Sequence, residues 1–174
     1  MKTTILLISI FCCLNIYGQT KQDVMDEIDD SYENYETAIK KAKNALSYIN
    51  DCYNTQGVSN IKSYASSAES EASSAKRYAG YAEDEADDAE GDADSFCSNA
   101  SDEAEDAEEY FYTAKRKFSS AMSELSSASY SDNIDDINTY LKNAKDYLNQ
   151  GIKNLNYGVD ELNNTIATLN NNCN

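Results

Sequence analysis

The sequence feature that most constrains the fold is a register of alanines in the middle of the chain. Between residues 60 and 130 there are fifteen alanines, and all of them follow one seam with the alternating 3-4 spacing of a helix. Helix propensity alone would scatter alanine over every face, so this register indicates packing, in which small side chains let two backbones approach closely. The sequence therefore predicts an alanine zipper. Ten of the alanines are seven residues apart without exception: Ala65, Ala72, Ala79, Ala86, Ala93, Ala100, Ala107, Ala114, Ala121 and Ala128.

Two flanking segments continue the helical spacing with larger side chains, over about residues 20–53 and 132–173. The chain contains no proline, which agrees with long uninterrupted helices. We therefore predict an all-α fold, in which long antiparallel helices form a coiled coil or helical bundle as one domain over residues 19–174. The first seam is Val24, Ile28, Ser31, Tyr35, Ala38, Ala42, Ala45, Ile49 and Cys52. The last seam is Ile134, Ile137, Leu141, Ala144, Leu148, Ile152, Leu155, Val159, Leu162, Ile166, Leu169 and Cys173.

The segment 60–129 is compatible with one helix or with two. Its seam spacing changes to 4 and 4 at Phe96, Ala100 and Ala104, which is a stutter, and turn-forming residues lie nearby. A break near 91–101 would give an up-down-up-down four-helix bundle. A continuous helix would instead be a rod of about 105 Å, with the outer helices folded back along it. Residues 78–114 hold fourteen acids and no base, and repulsion between two such acidic arms favours the continuous helix.

Charge and composition exclude several classes of function. The net charge is −17, which disfavours a nucleic-acid partner and anionic membrane surfaces. The chain has no histidine, so it lacks the usual general acid or base near neutral pH and the commonest metal ligand. We therefore expect no catalysis and no cofactor.

The acidic stretch is the charged feature that best suits a ligand. Dense carboxylates suit a hard cation such as calcium, and the candidate metal ligands are Asp88, Glu90, Asp92 and Asp94. The competing interpretation, which we favour, is a solvated face that keeps an alanine-rich helix soluble. Tyrosines flank the seams, where they would either form an interaction surface or widen a core that alanine leaves thin.

The first eighteen residues predict a secretory signal peptide, with Lys2, an apolar run from Ile5 to Leu14 and a small residue at Gly18. The run is shorter than the roughly 20 residues that a spanning helix needs. We expect a secreted or periplasmic protein without membrane insertion after cleavage. Such a protein can form disulfides, and both architectures bring Cys97 near Cys173. Cys52 would then be buried in its seam or would bridge two chains.

Residues 65–128 resemble the alanine-zipper coiled coils of bacterial envelope proteins, such as the small murein lipoproteins. The chain is also similar, in being acidic, coiled-coil and preceded by an export signal, to the granule matrix proteins of ciliates. The ten-heptad alanine register predicts a structural or interaction protein that associates with copies of itself or with another helical protein. The alternative is an acidic, calcium-binding helical protein.

Overall fold

The computed structural model describes residues 20–173, which form four antiparallel α-helices and no strand. The helices are α1 (Lys21–Asn54), α2 (Val58–Asp94), α3 (Ser98–Tyr130) and α4 (Ile134–Asn171). At 1.5 Å per residue they are about 50 to 57 Å long. The prediction of an all-α helical bundle is confirmed. The predicted signal peptide, residues 1–18, lies outside the described residues.

Each helix packs along its length against the helices that precede and follow it in the chain. The pairs α1–α2, α2–α3 and α3–α4 are closely packed, whereas α1 and α4 close the bundle with fewer contacts. At that looser seam, the Tyr35 hydroxyl donates to Asn156 Oδ1 at 2.9 Å, and Lys21 Nζ donates to the Leu169 carbonyl at 2.9 Å. The topology is the up-down-up-down order of a four-helix bundle.

Local capping chemistry sets the ends of the helices. Thr20 and Asp23 form a capping box at the start of α1. Gly57, at φ 89°, makes the turn into α2 in a backbone conformation that favours glycine. Asn133 accepts a hydrogen bond from the Asp135 backbone N–H at 2.9 Å and caps α4.

The preference for one continuous helix over residues 60–129 is wrong. The helix ends at Asp94 and a new one begins at Ser98, with a tight turn closed by Cys97 N–H donating to the Ala93 carbonyl at 2.8 Å. Folding back buries the two alanine-rich faces against each other, and this burial exceeds the repulsion between the acidic arms. Eight of the fourteen acids are exposed to solvent, where salt screens the more distant pairs, although some carboxylates of the two arms still approach one another closely.

The alanine seam, meaning the fifteen alanines between residues 60 and 130, is fully buried inside the bundle. Of the nine predicted positions in α1, eight are buried, and Tyr35 is half-buried. In α4 the prediction is less accurate, because Ile152, Val159 and Ile166 are only half-buried and Ile134 is 43% exposed. The buried positions beside them in the helix are Gly151, Gly158 and Thr165.

The two α4 glycines form notches for phenylalanine rings of α3. A Cβ added at Gly151 would lie 2.7 Å from Phe118 Cδ1, and one added at Gly158 would lie 2.8 Å from Phe111 Cδ1. Both rings are fully buried. The phenylalanines are seven residues apart and so are the glycines, so large and small residues interlock in antiparallel register.

Candidate functional site

Charge divides the bundle into two unlike halves. The acidic half, residues 20–37, 78–114 and 154–173, carries 23 acids and one base, which is a net charge of −22. The mixed half, residues 38–77 and 115–153, carries 8 acids and 12 bases, which is a net charge of +4. Because the helices are antiparallel, each set of segments lies at one end of the bundle. The surface is therefore strongly polarised along its long axis.

Two clusters of three carboxylates lie in the acidic half, each joining two helices. In the first, between α1 and α2, the oxygens of Glu27, Glu85 and Asp88 lie within 4.8 Å of one another. The second cluster, between α2 and α3, consists of Asp87, Glu90 and Glu108.

The predicted metal ligands are therefore not brought together as one group. Asp88 and Glu90 fall into different clusters, and Asp92 and Asp94 belong to neither. Sequence reasoning missed the partners on the neighbouring helices, Glu27 and Glu108, because it considered a single stretch of chain. The seam register could have revealed these partners, because it indicates which residues of neighbouring helices lie side by side.

The crowding of these acids changes their protonation. A hydrogen bond with Glu85, burial, and the charges of Glu85, Asp88 and Asp92 raise the pKa of Glu27 to about 7. Burial, followed by neighbouring acids including Glu105, raises the pKa of Glu90 as well. With a pKa of about 7, Glu27 is partly protonated near neutral pH, since like charges this close disfavour full ionisation.

A basic cleft, lined by Ser73, Lys76, Arg77, Gly80, Tyr81, Asp84 and Lys115, opens between α2 and α3 near the middle of the bundle. Its volume is about 300 Å³. Its lining holds three bases and one acid, and Lys115 also pairs with Glu83 at 2.6 Å. The cleft is therefore a local positive surface on a strongly acidic protein.

The structure places Cys97, in the turn between α2 and α3, beside Cys173, after the end of α4. Their Cα atoms are 5.7 Å apart, which is disulfide distance. Cys52 lies at the opposite end of the bundle, where its thiol donates to the Ile61 carbonyl at 3.5 Å. It is 2% exposed, and burial raises its pKa to about 11. Of the two expectations for Cys52, the geometry agrees with a buried seam residue.

The tyrosines divide into two groups by burial. One group, including Tyr32, Tyr48 and Tyr140, is partly buried against the core. Another group is exposed, with fractions from 37% at Tyr64 to 82% at Tyr130. The exposed rings are available to a partner, whereas the first group widens the core beside the alanines.

Comparison with known proteins adds no family. No protein-family model matches the chain, and a search of the curated proteins finds no match. Among the helices of residues 20–173, none carries an apolar stretch long enough to cross a membrane.

Proposed function

We propose that this chain is a secreted or periplasmic structural or interaction protein that acts through the outer surface of a pre-formed bundle. The observation that carries this proposal is the burial of the alanine seam within the chain's own bundle. All fifteen alanines pack inside the chain itself, so the zipper serves the monomer fold, and association has to involve other surfaces. What remains outside is a charge-polarised surface with exposed tyrosines, which suits binding by shape and charge.

A cysteine pair at disulfide distance supports the exported setting. Oxidation of Cys97 and Cys173 would join the α2–α3 turn to the end of α4. This bond would hold the acidic end of the bundle closed. A protein that works as a scaffold outside the cytoplasm benefits from such a constraint, because unfolding at that end is suppressed.

A second candidate function is cation binding, favoured by the two carboxylate clusters. Each cluster offers three oxygens that already lie within 4.8 Å of one another. Calcium takes six to eight oxygen ligands, so water would complete the shell around an ion there. Binding at the first cluster would displace the proton that crowding partly retains on Glu27.

Size-exclusion chromatography with multi-angle light scattering, with and without calcium and reductant, tests both functions on the full mature chain. Association into a defined oligomer, or capture of a helical partner from the extracellular fraction of the source cells, is expected for an interaction protein. A strict monomer at all concentrations would contradict the self-association part. The partner-binding part would be contradicted if that fraction, passed over the immobilised chain, left no specifically retained protein.

A calcium titration followed by melting temperature tests the alternative. Glu27→Gln combined with Glu85→Gln removes two carboxylates of the first cluster, and Glu33→Gln combined with Glu36→Gln removes two exposed carboxylates of α1 as a matched control. Cation binding at the cluster predicts that calcium raises the melting temperature of the parent and the control, but not of the cluster variant. An unchanged melting temperature of the parent would exclude it.

A further inference from the structure

We propose that the basic cleft between α2 and α3 binds a small anionic compound, whose phosphate or sulfate group lies between Lys76, Arg77 and Lys115 and whose ring lies against Tyr81. The first support is concentration of charge. Three bases, Lys76, Arg77 and Lys115, line the cleft against one acid, Asp84, although acids outnumber bases 31 to 14 in the whole chain. The cleft thus reverses the charge balance of the rest of the surface.

The second support is that two of the three cations are held in place before any ligand arrives. Lys115 Nζ is paired with Glu83 at 2.6 Å. The guanidinium of Arg77 lies 5.2 Å from the centre of the Tyr78 ring, a cation–π distance. Such pre-organisation lowers the entropy cost of binding.

The third support is the shape of the cleft. Gly80 is buried and has no side chain, so the Lys115 stem lies across its Cα, with Cδ only 3.5 Å from where a Cβ would be. An added Cβ would be at an ordinary van der Waals distance from that stem, so the Lys115 stem packed on Gly80 forms the floor of the cleft. Tyr81 is 45% exposed at the wall, where its ring offers an apolar face and its hydroxyl a hydrogen-bonding group.

The size and charge of the cleft define the ligand class. A volume of about 300 Å³ is at the lower end of small-molecule sites and admits a phosphorylated or sulfated monosaccharide or a compound of similar size. Asp84 also lines the cleft, and Glu83 neutralises part of the Lys115 charge, so the local excess is modest. The expected ligand therefore carries one anionic group and a neutral ring.

Titration of the ¹⁵N-labelled chain in 0.1 M NaCl, followed by NMR, tests the site with glucose 6-phosphate, inorganic phosphate and glucose as probes. We expect saturable shifts of the Gly80 and Tyr81 amides with glucose 6-phosphate, weaker binding of inorganic phosphate, and none of glucose. Lys76→Gln combined with Arg77→Gln should weaken glucose 6-phosphate binding about 10-fold or more, because two charged contacts are lost.

The matched control is Lys142→Gln combined with Lys145→Gln, which removes two exposed bases of α4 outside the cleft. It should change the affinity less than about 2-fold, since it alters only the distant, screened charge. Equal weakening in both variants would show nonspecific attraction and overturn the site, as would the absence of saturable shifts with either anion. Equal affinity for phosphate and glucose 6-phosphate would overturn the contact of the ring with Tyr81. Circular dichroism of each variant confirms that the helices are intact.

Discussion

The glycine notches of α4 make the packing of α3 against α4 directly testable. At an ordinary helical position, replacing glycine by alanine stabilises a protein by about 1 kcal/mol. At Gly151 the new methyl group would lie within 3 Å of three atoms of the Phe118 ring, at distances that include 2.7 and 2.9 Å. The ring is fully buried, so it cannot move out to solvent without disturbing the packing around it.

Overpacking of this kind costs about 1 to 3 kcal/mol, and three close contacts with a wedged ring favour the upper half of that range. After the propensity gain is subtracted, we expect Gly151→Ala to lower the free energy of unfolding by about 1 to 2 kcal/mol. The assay is urea unfolding followed by circular dichroism at 222 nm.

Gly91→Ala is the matched control, because Gly91 is an exposed α2 residue with no atom within 4 Å of an added Cβ. It should stabilise the protein by about 1 kcal/mol. Phe118→Leu should partly rescue Gly151→Ala, with a coupling free energy of roughly 1 to 2 kcal/mol in the double-mutant cycle. If Gly151→Ala stabilised the protein as much as Gly91→Ala does, the ring would not be seated in the notch.

Three further predictions concern the seam, the cysteine pair and the acid cluster. Ala86→Leu, in the buried seam, should lower the free energy of unfolding by about 1 to 3 kcal/mol in urea denaturation. Replacing Cys97 and Cys173 by serine opens a loop of 76 residues and should cost about 2 to 4 kcal/mol, measured likewise against the oxidised parent. The pKa of Glu27, raised to about 7 from an ordinary 4.5, means that the folded chain binds this proton more tightly than the unfolded chain. The stability it contributes is complete below pH 4.5 and is lost as pH rises through 7, so the melting temperature should fall between pH 5 and 8, and Glu27→Gln should reduce that fall.

Controls are available for each of these predictions. Ala167→Leu places the same side chain at an exposed position of α4 and should be nearly neutral. Under reducing conditions the serine variant and the parent should have equal stability, and a difference would point to packing instead of the bond. If Glu27→Gln left the pH dependence of the melting temperature unchanged, that dependence would come from other carboxylates.

The fold could be predicted from the sequence wherever side-chain size alone determines which positions are buried. Alanines at a seven-residue spacing determine burial by themselves, and the structure buries every one of them. The break at residues 95–97 could not be decided in the same way, because it depends on a balance between screened repulsion and buried area. The positions of Gly151 and Gly158 were missed since an apolar pattern contains no signal for a glycine that accommodates a ring from another helix.

The candidate sites could likewise be predicted only in part. The proximity of Cys97 and Cys173 followed from topology, since the bundle places both at one end and a continuous helix would bring Cys173 back to its centre, near Cys97. The carboxylate clusters required knowledge of which helix faces meet, as the partner Glu27 is far from Glu85 in the chain. The basic cleft likewise joins two segments that are unremarkable when each is considered alone.

The order of packing in the bundle, in which the close pairs are neighbours in the chain, has a consequence for how it folds and opens. Each hairpin can form from local contacts, which is the condition for rapid folding, and the meeting of α1 with α4 is the long-range step. The end of α4 is joined to the α2–α3 turn by the cysteine pair, whereas α1 has no such tie. We therefore expect amide protons of α1 to exchange with solvent before those of α3 and α4, through a partial opening that leaves a three-helix remainder.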